Sequence, residues 1–164
     1  MDIPFRKTAV ESGAIDAVAD TGFQIYKHRV VHHGVSVHCS EVAFMMEKAL
    51  FFNDKKSYDQ LVASKKAAEA KDIGRHVTPF DPAALDAVRY EKMKIALRSK
   101  FKDAGLRKQL LDTGNLVLVE ASPPDKVWGV GLAENDPLIE NEKNWKGQNL
   151  LGKALMDIRA ELRQ

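Results

Sequence analysis

Residues 116–131 read LVLVEASPPDKVWGVG, and how this stretch is read decides the fold. Leu116–Ala121 is a short apolar run, rich in valine and leucine and closed by a turn signal. Its length suits a buried strand better than a helix. Ser122-Pro123-Pro124 ends it, because proline cannot donate to a sheet ladder. An acid, an indole and two glycines follow within seven residues: Asp125, Trp128, Gly129 and Gly131. Loops on a rigid scaffold are where binding and catalysis concentrate. The single clear strand therefore delivers a loop that is a candidate for binding or catalysis, and the rest of the chain has to supply helices to cover it.

Helical signals surround the strand. Ser40 starts a helix through about Phe52, with serine at the N-cap and Glu41 in the positive first turn. A second helix is expected over Lys55–Ala63. A third is expected over Lys65–Ile73, closed by Gly74 as a left-handed cap. Asp81-Pro82 pairs an N-cap acid with proline at the first helical position. Leu85, Val88, Met93, Ala96, Leu97 and Phe101 continue it as an apolar stripe. Leu106–Asp112 forms another helix, closed by Gly114. Gln148–Leu162 forms the last, with Leu151, Ala154, Leu155, Ile158 and Leu162 on one face. Upstream, Phe23–Arg29 and Val30–His38 read as short strands about a turn at His33-Gly34. Residues 1–22 read as a peripheral segment with a short helix over Ala9–Ala19, and residues 23–164 as one domain. The fold class is α+β, mostly helical with few strands.

Bulk composition narrows the possibilities. A chain of 164 residues buries roughly 70% of its unfolded surface and needs no disulfide or metal for a core. One cysteine, Cys39, excludes an internal disulfide and fits a reducing, cytoplasmic setting. The start, MDIPFRKTAVESGAID, carries acids and no long apolar run, unlike a secretory signal. No apolar stretch has the length to span a membrane. Net charge is +2, but it is unevenly spread. Arg89, Lys92, Lys94, Arg98, Lys100, Lys102, Arg107 and Lys108 stand against only Glu91 and Asp103 between residues 89 and 108, a local excess of six positive charges. Two readings stand: the solvated face of a helix, or a surface that meets phosphates.

Candidate chemistry sits in two places. Glu41 and Lys48 are seven residues apart, so on a helix they differ by roughly 20° and about 10 Å along the axis. A carboxylate and an amine framing an apolar patch fit two roles. They could snorkel from the edges of an amphipathic helix. Or they could serve as a proton donor and a nucleophile whose pKa values desolvation has tuned. In the loop, Trp128 offers a flat face, and Gly129 and Gly131 admit a close backbone approach. Asp125 offers a contact to a ribose hydroxyl, and Glu120 ends the strand at the same loop. An equally plain reading is a loop tied down by a buried tryptophan. The histidines, His28, His32, His33, His38 and His76, show no metal-ligand spacing. No nucleophile elbow supports a serine triad, and no cofactor motif occurs.

Taken in order, the segments SE-x6-KA (Ser40, Glu41, Lys48, Ala49), KDIGR, LLDTG, LVEASPPDKVWGVGL and GQNLLGKALMDIR resemble the NADAR, or YbiA-like, family. The similarity runs over about residues 23–162. The resemblance implies hydrolysis of an N-glycosidic bond to a ribose. It implies ADP-ribose on guanine in DNA or RNA as one substrate class, and ribosylamino intermediates of riboflavin synthesis as another. A non-catalytic ADP-ribose or NAD binder is a third reading. No obligate protein partner is implied. By the same resemblance Lys48, Glu41 and Asp125 are the catalytic candidates. Glu120, Trp128, Gly129, Gly131, Arg75, Asn149 and Arg159 are the substrate-binding ones, with no metal. The chain departs from the family pattern in three places. Ile25 stands where an asparagine is usual, Leu85 where a tryptophan is usual, and Ala43-Phe44-Met45-Met46 replaces a glutamine-containing helix segment.

Overall fold

The computed structural model describes residues 29–164 in full, together with the backbone of 6–11 and 14–17. Phe23–His28 therefore lie outside the described residues, and the expected strand there is not addressed. The chain divides into two compact units, residues 25–103 and residues 104–164 joined by the N-terminal strands.

The first unit opens with a hairpin, β3 (Val30–His32) and β4 (Val35–Val37), in antiparallel register with Val30 opposite Val37. β1 (Arg6–Glu11) and β2 (Ala14–Ala17) precede it in the chain and belong to the second unit. The turn falls at His33 and Gly34, both with positive φ (48° and 77°). Two left-handed central residues match the right-handed twist of the flanking strands, which is why the HG pair sets the hairpin. α1 (Ser40–Phe51) then packs on α2 (Lys55–Ala63), α3 (Ala67–Arg75) and α4 (Pro82–Lys100). Its Val42, Ala43, Met46 and Ala49 are fully buried. A buried valine or methionine contributes about 1.5–3 kcal/mol, so this face anchors the unit.

Two local expectations change. The N-cap of α1 is Cys39 in extended conformation rather than Ser40, and no side chain caps it. Gly74 lies inside α3, not at a left-handed cap. Its lack of a side chain serves packing instead, because a Cβ there would collide with the Met45 sulfur. α4 starts as its sequence demands: Asp81 Oδ1 accepts from Ala83 N at 2.9 Å and Ala84 N at 3.2 Å, with Pro82 at the first helical position.

In the second unit β1 (Arg6–Glu11) pairs antiparallel with both β2 (Ala14–Ala17) and β5 (Leu118–Val119), giving the order β2-β1-β5. The helix expected over Ala9–Ala19 is thus replaced by strands. A free edge on β5 offers backbone partners that local helix propensity cannot match. β5 itself is shorter than the apolar run suggested. α5 (Ala104–Asp112) begins two residues earlier than expected, with Gly105 inside it. Val119, Ala121, Val130, Leu132 and Ile139 form a core against which Val117 and Trp145 pack. α6 (Leu150–Glu161) closes the chain over β5, burying Leu151, Ala154, Leu155 and Ile158.

Candidate active site

In the first unit, α1 projects Glu41 and Lys48 against α3. Lys48 Nζ donates to Gly74 O at 2.6 Å and sits 4.4 Å from the centroid of Phe80. The missing side chain at Gly74 leaves room for the Met45 side chain. Burial lowers the Lys48 pKa, and the nearby Arg89 cation lowers it further. Both effects favour the neutral, nucleophilic amine. Glu41 is largely buried, with Lys71 Nζ at 3.5 Å from its Oε1. Burial pushes its carboxyl up, against the pull of Lys71. Glu41 Oε2 is buried with no hydrogen-bond partner among the described residues. An acid raised in this way keeps its proton to higher pH than an exposed glutamate and can deliver it. Arg75, the last residue of α3, is exposed.

Of two residues around Lys48, Phe80 was not singled out by sequence and Arg89 was read only as part of the basic run. Phe80 is 47% exposed and leads into an edge-on pair with Phe52, at 5.4 Å between centroids. An exposed ring over an amine is a flat apolar face. Arg89 pairs with Asp86 on its own helix, and its buried Nε has no hydrogen-bond partner among the described residues. The available signals were the aromatic just before the Asp81-Pro82 helix start and the basic run. Neither points to Lys48 without the fold.

That basic run is largely engaged. Arg89 pairs with Asp86, Lys92 with Glu47 (3.3 Å), Lys94 with Glu91 (3.8 Å) and Lys108 with Asp112 (2.6 Å). Lys100 is buried at 2% exposure, and burial brings its pKa down to about 7.

In the second unit, the loop after β5 is stitched to the start of α6. Gln148 N, Asn149 N, Leu150 N and Leu151 N donate to the carbonyls of Lys126, Gly129, Val127 and Trp128, at 2.9–3.1 Å. The first amides of α6, which a helix leaves without internal partners, are thereby satisfied by the loop. Asp125 Oδ1 accepts from Val127 N (2.9 Å) and Trp128 N (2.8 Å), folding the loop on itself. Gly129 is hemmed by the carbonyls of Asp125 and Glu120, and Gly131 has φ 70°. Gly129 thus has a steric reason of its own and Gly131 a conformational one. Trp128 is half-buried and Glu120 is buried.

Asn149 is 1% exposed and spends both ends of its amide on the main chain around β5. Its Nδ2 donates to Leu118 O at 2.9 Å, and its Oδ1 accepts from Glu120 N at 3.0 Å. Arg159, 6% exposed, donates from Nη1 to Thr113 Oγ1 (2.6 Å) and Leu116 O (2.8 Å). Burial lowers its pKa, with Arg163 adding to the shift.

Comparison with known proteins agrees with this architecture. Residues 5–163 match the NADAR domain. The chain is 40% identical over 126 residues to "N-glycosidase R617" of Acanthamoeba polyphaga mimivirus, covering 76% of this chain and 74% of that protein. It is 34% identical over 114 residues to "Riboflavin biosynthesis protein PYRR, chloroplastic" of Arabidopsis thaliana, covering 65% of this chain and 17% of that protein. The NMR structure of the E. coli protein YbiA superposes with a TM-score of 0.68 at 28% identity, over 86% of this chain and 77% of that one. The mostly helical α+β fold is shared with that structure. Among the described residues, no helix is long and apolar enough to cross a membrane.

Proposed function

Because the chain belongs to the NADAR family, we propose that it is an N-glycosidase that cleaves the bond between ribose and base in ADP-ribosylated guanine of nucleic acid, releasing ADP-ribose. The observation that carries the reading is the setting of Lys48. It is a partly desolvated amine held by Gly74 O, beside Arg89 and under the exposed ring of Phe80. The name of the mimiviral relative, N-glycosidase, supports the reaction class.

The reaction follows from these groups. Cleavage of an N-glycoside builds positive charge at the anomeric carbon. The Lys48 lone pair forms a bond to that carbon as the bond to the base nitrogen breaks. The electron pair leaves with the base nitrogen, which takes a proton from Glu41. The attacking amine loses its proton to the Glu41 carboxylate. The bond from the anomeric carbon to the ring oxygen then breaks, the ring oxygen takes that proton back from Glu41, and a protonated Schiff base forms on the open sugar. Water adds to its carbon, the C–N bond to Lys48 breaks, and ADP-ribose leaves with the amine restored. Phe80 would stack on the flat leaving base, and Arg89 would meet a phosphate through its planar donors. On the resemblance alone, Asp125 is carried as a further catalytic candidate, and Glu120, Trp128, Gly129, Gly131 and Arg75 as contacts to substrate.

One finding favours a second reading, a glycosidase for ribosylamino intermediates of riboflavin synthesis. A riboflavin biosynthesis protein is among the relatives, and the ion pairing of the basic run leaves less charge for a strand of phosphates. The test is turnover of a guanine-ADP-ribosylated oligonucleotide, followed by mass spectrometry of released ADP-ribose, beside Lys48→Ala. Release that needs Lys48 supports the proposal. Turnover of the small ribosylamino phosphate alone would move the assignment to the second reading. Full activity of a folded Lys48→Ala protein would remove Lys48 from the chemistry.

A further inference from the structure

The turn of the β3–β4 hairpin places two imidazoles against a carboxylate of α1. His32 is completely buried, and its Nε2 lies 3.0 Å from Glu47 Oε1. His33 Nε2 reaches the same oxygen from the turn. Glu47 is 3% exposed. The three donor atoms all lie within 4.8 Å of one another. The other ring nitrogen of His32, Nδ1, is 2.7 Å from Ser99 Oγ on α4. Glu47 Oε2 is 3.3 Å from Lys92 Nζ. None of these groups takes part in the chemistry assigned to Lys48 and Glu41.

We propose that His32, His33 and Glu47 form a binding site for a divalent transition-metal ion of the zinc type. Two imidazoles and one carboxylate suit zinc, cobalt, nickel or copper rather than magnesium or calcium. A tetrahedral zinc ion with bonds of about 2.0–2.1 Å holds its donors roughly 3.3–3.4 Å apart. Reaching that from the present positions takes movements of about 1.5 Å or less. His33 can supply them, because its side chain is 46% exposed and stands on a turn. The same exposure leaves an entry path and a fourth position for water. Ser99 orients the buried ring through Nδ1, as partners of metal-bound histidines do, leaving Nε2 for the ion. Lys92 engages only Oε2, so Oε1 is the oxygen offered. The ion would staple the hairpin to α1 and α4, a structural role. The sequence hides the site because the imidazoles are adjacent and the carboxylate follows fourteen and fifteen residues later.

The test uses the tag-free full-length chain stripped with chelator. Zinc chloride is titrated by calorimetry, and thermal unfolding is followed with and without zinc. The expected result is one site per chain and a Tm raised by about 5–10 °C at roughly 100-fold excess over Kd. His33→Asn, which keeps a residue tolerant of positive φ, should fold and lose that shift. Glu47→Gln should lose it too. A wild-type chain with no zinc-dependent shift would overturn the proposal. So would an equal shift in His33→Asn, which would move binding to His28, His38 or His76.

Discussion

Asn149 is the residue where sequence and structure make competing demands, and replacing it with alanine separates them. By family resemblance it contacts substrate. In the structure its amide closes two buried main-chain groups, Leu118 O and Glu120 N. Asn149→Ala orphans both, at about 1–3 kcal/mol each, or about 3 kcal/mol together at the lower middle of that range. The residue also has φ 54° and ψ 38°, a left-handed conformation that costs alanine about 1 kcal/mol. The sum, about 4 kcal/mol, corresponds to a Tm lowered by roughly 8–16 °C in a chain of this size. Circular dichroism on heating measures it. Asn149→Gly removes the conformational part and should recover about a quarter of the loss. A Tm within about 2 °C of wild type, accompanied by a raised KM, would refute the structural argument and return Asn149 to substrate binding.

Gly152→Ala tests the same seam from the helix side. Its Cβ would collide with Leu118 O and the Asn149 amide, so stability should fall by about 1–3 kcal/mol in urea titration; an unchanged midpoint would contradict the close packing. Phe80→Ala should raise KM about tenfold, the loss of one stacked ring of about 1–2 kcal/mol, with Tm little changed because the ring is 47% exposed. Unaltered KM would remove Phe80 from substrate contact. A rate that needs the neutral Lys48 amine rises with pH through that group's pKa, which burial and then Arg89 place below the ordinary 10.5. Arg89→Gln removes a positive charge and should move that rise to higher pH; movement to lower pH, or none, would exclude the coupling.

Several features were legible in the sequence because they are settled within a turn or two of chain. Asp81-Pro82 starts a helix by its own side chain and ring, Lys55–Ala63 is helical as read, and His33-Gly34 makes the hairpin. Lys48 and Glu41 were found as a pair because helical spacing puts them on one face. What the residues do once folded depends on partners far along the chain. Lys48 is set by Gly74, twenty-six residues away, and Asn149 by Glu120, twenty-nine residues away. Gly74 looked like a helix stop and is a seat for Met45; the N-terminal segment looked helical and supplies strands to β5. Local propensity is worth tenths of a kcal/mol per residue, while a buried orphaned polar group or a steric collision costs kilocalories. The sequence alone therefore determined the family, the helical plan and the pairing of Glu41 with Lys48 on one helix. Only the tertiary structure decided which polar groups are engaged with the fold, because their partners lie far along the chain.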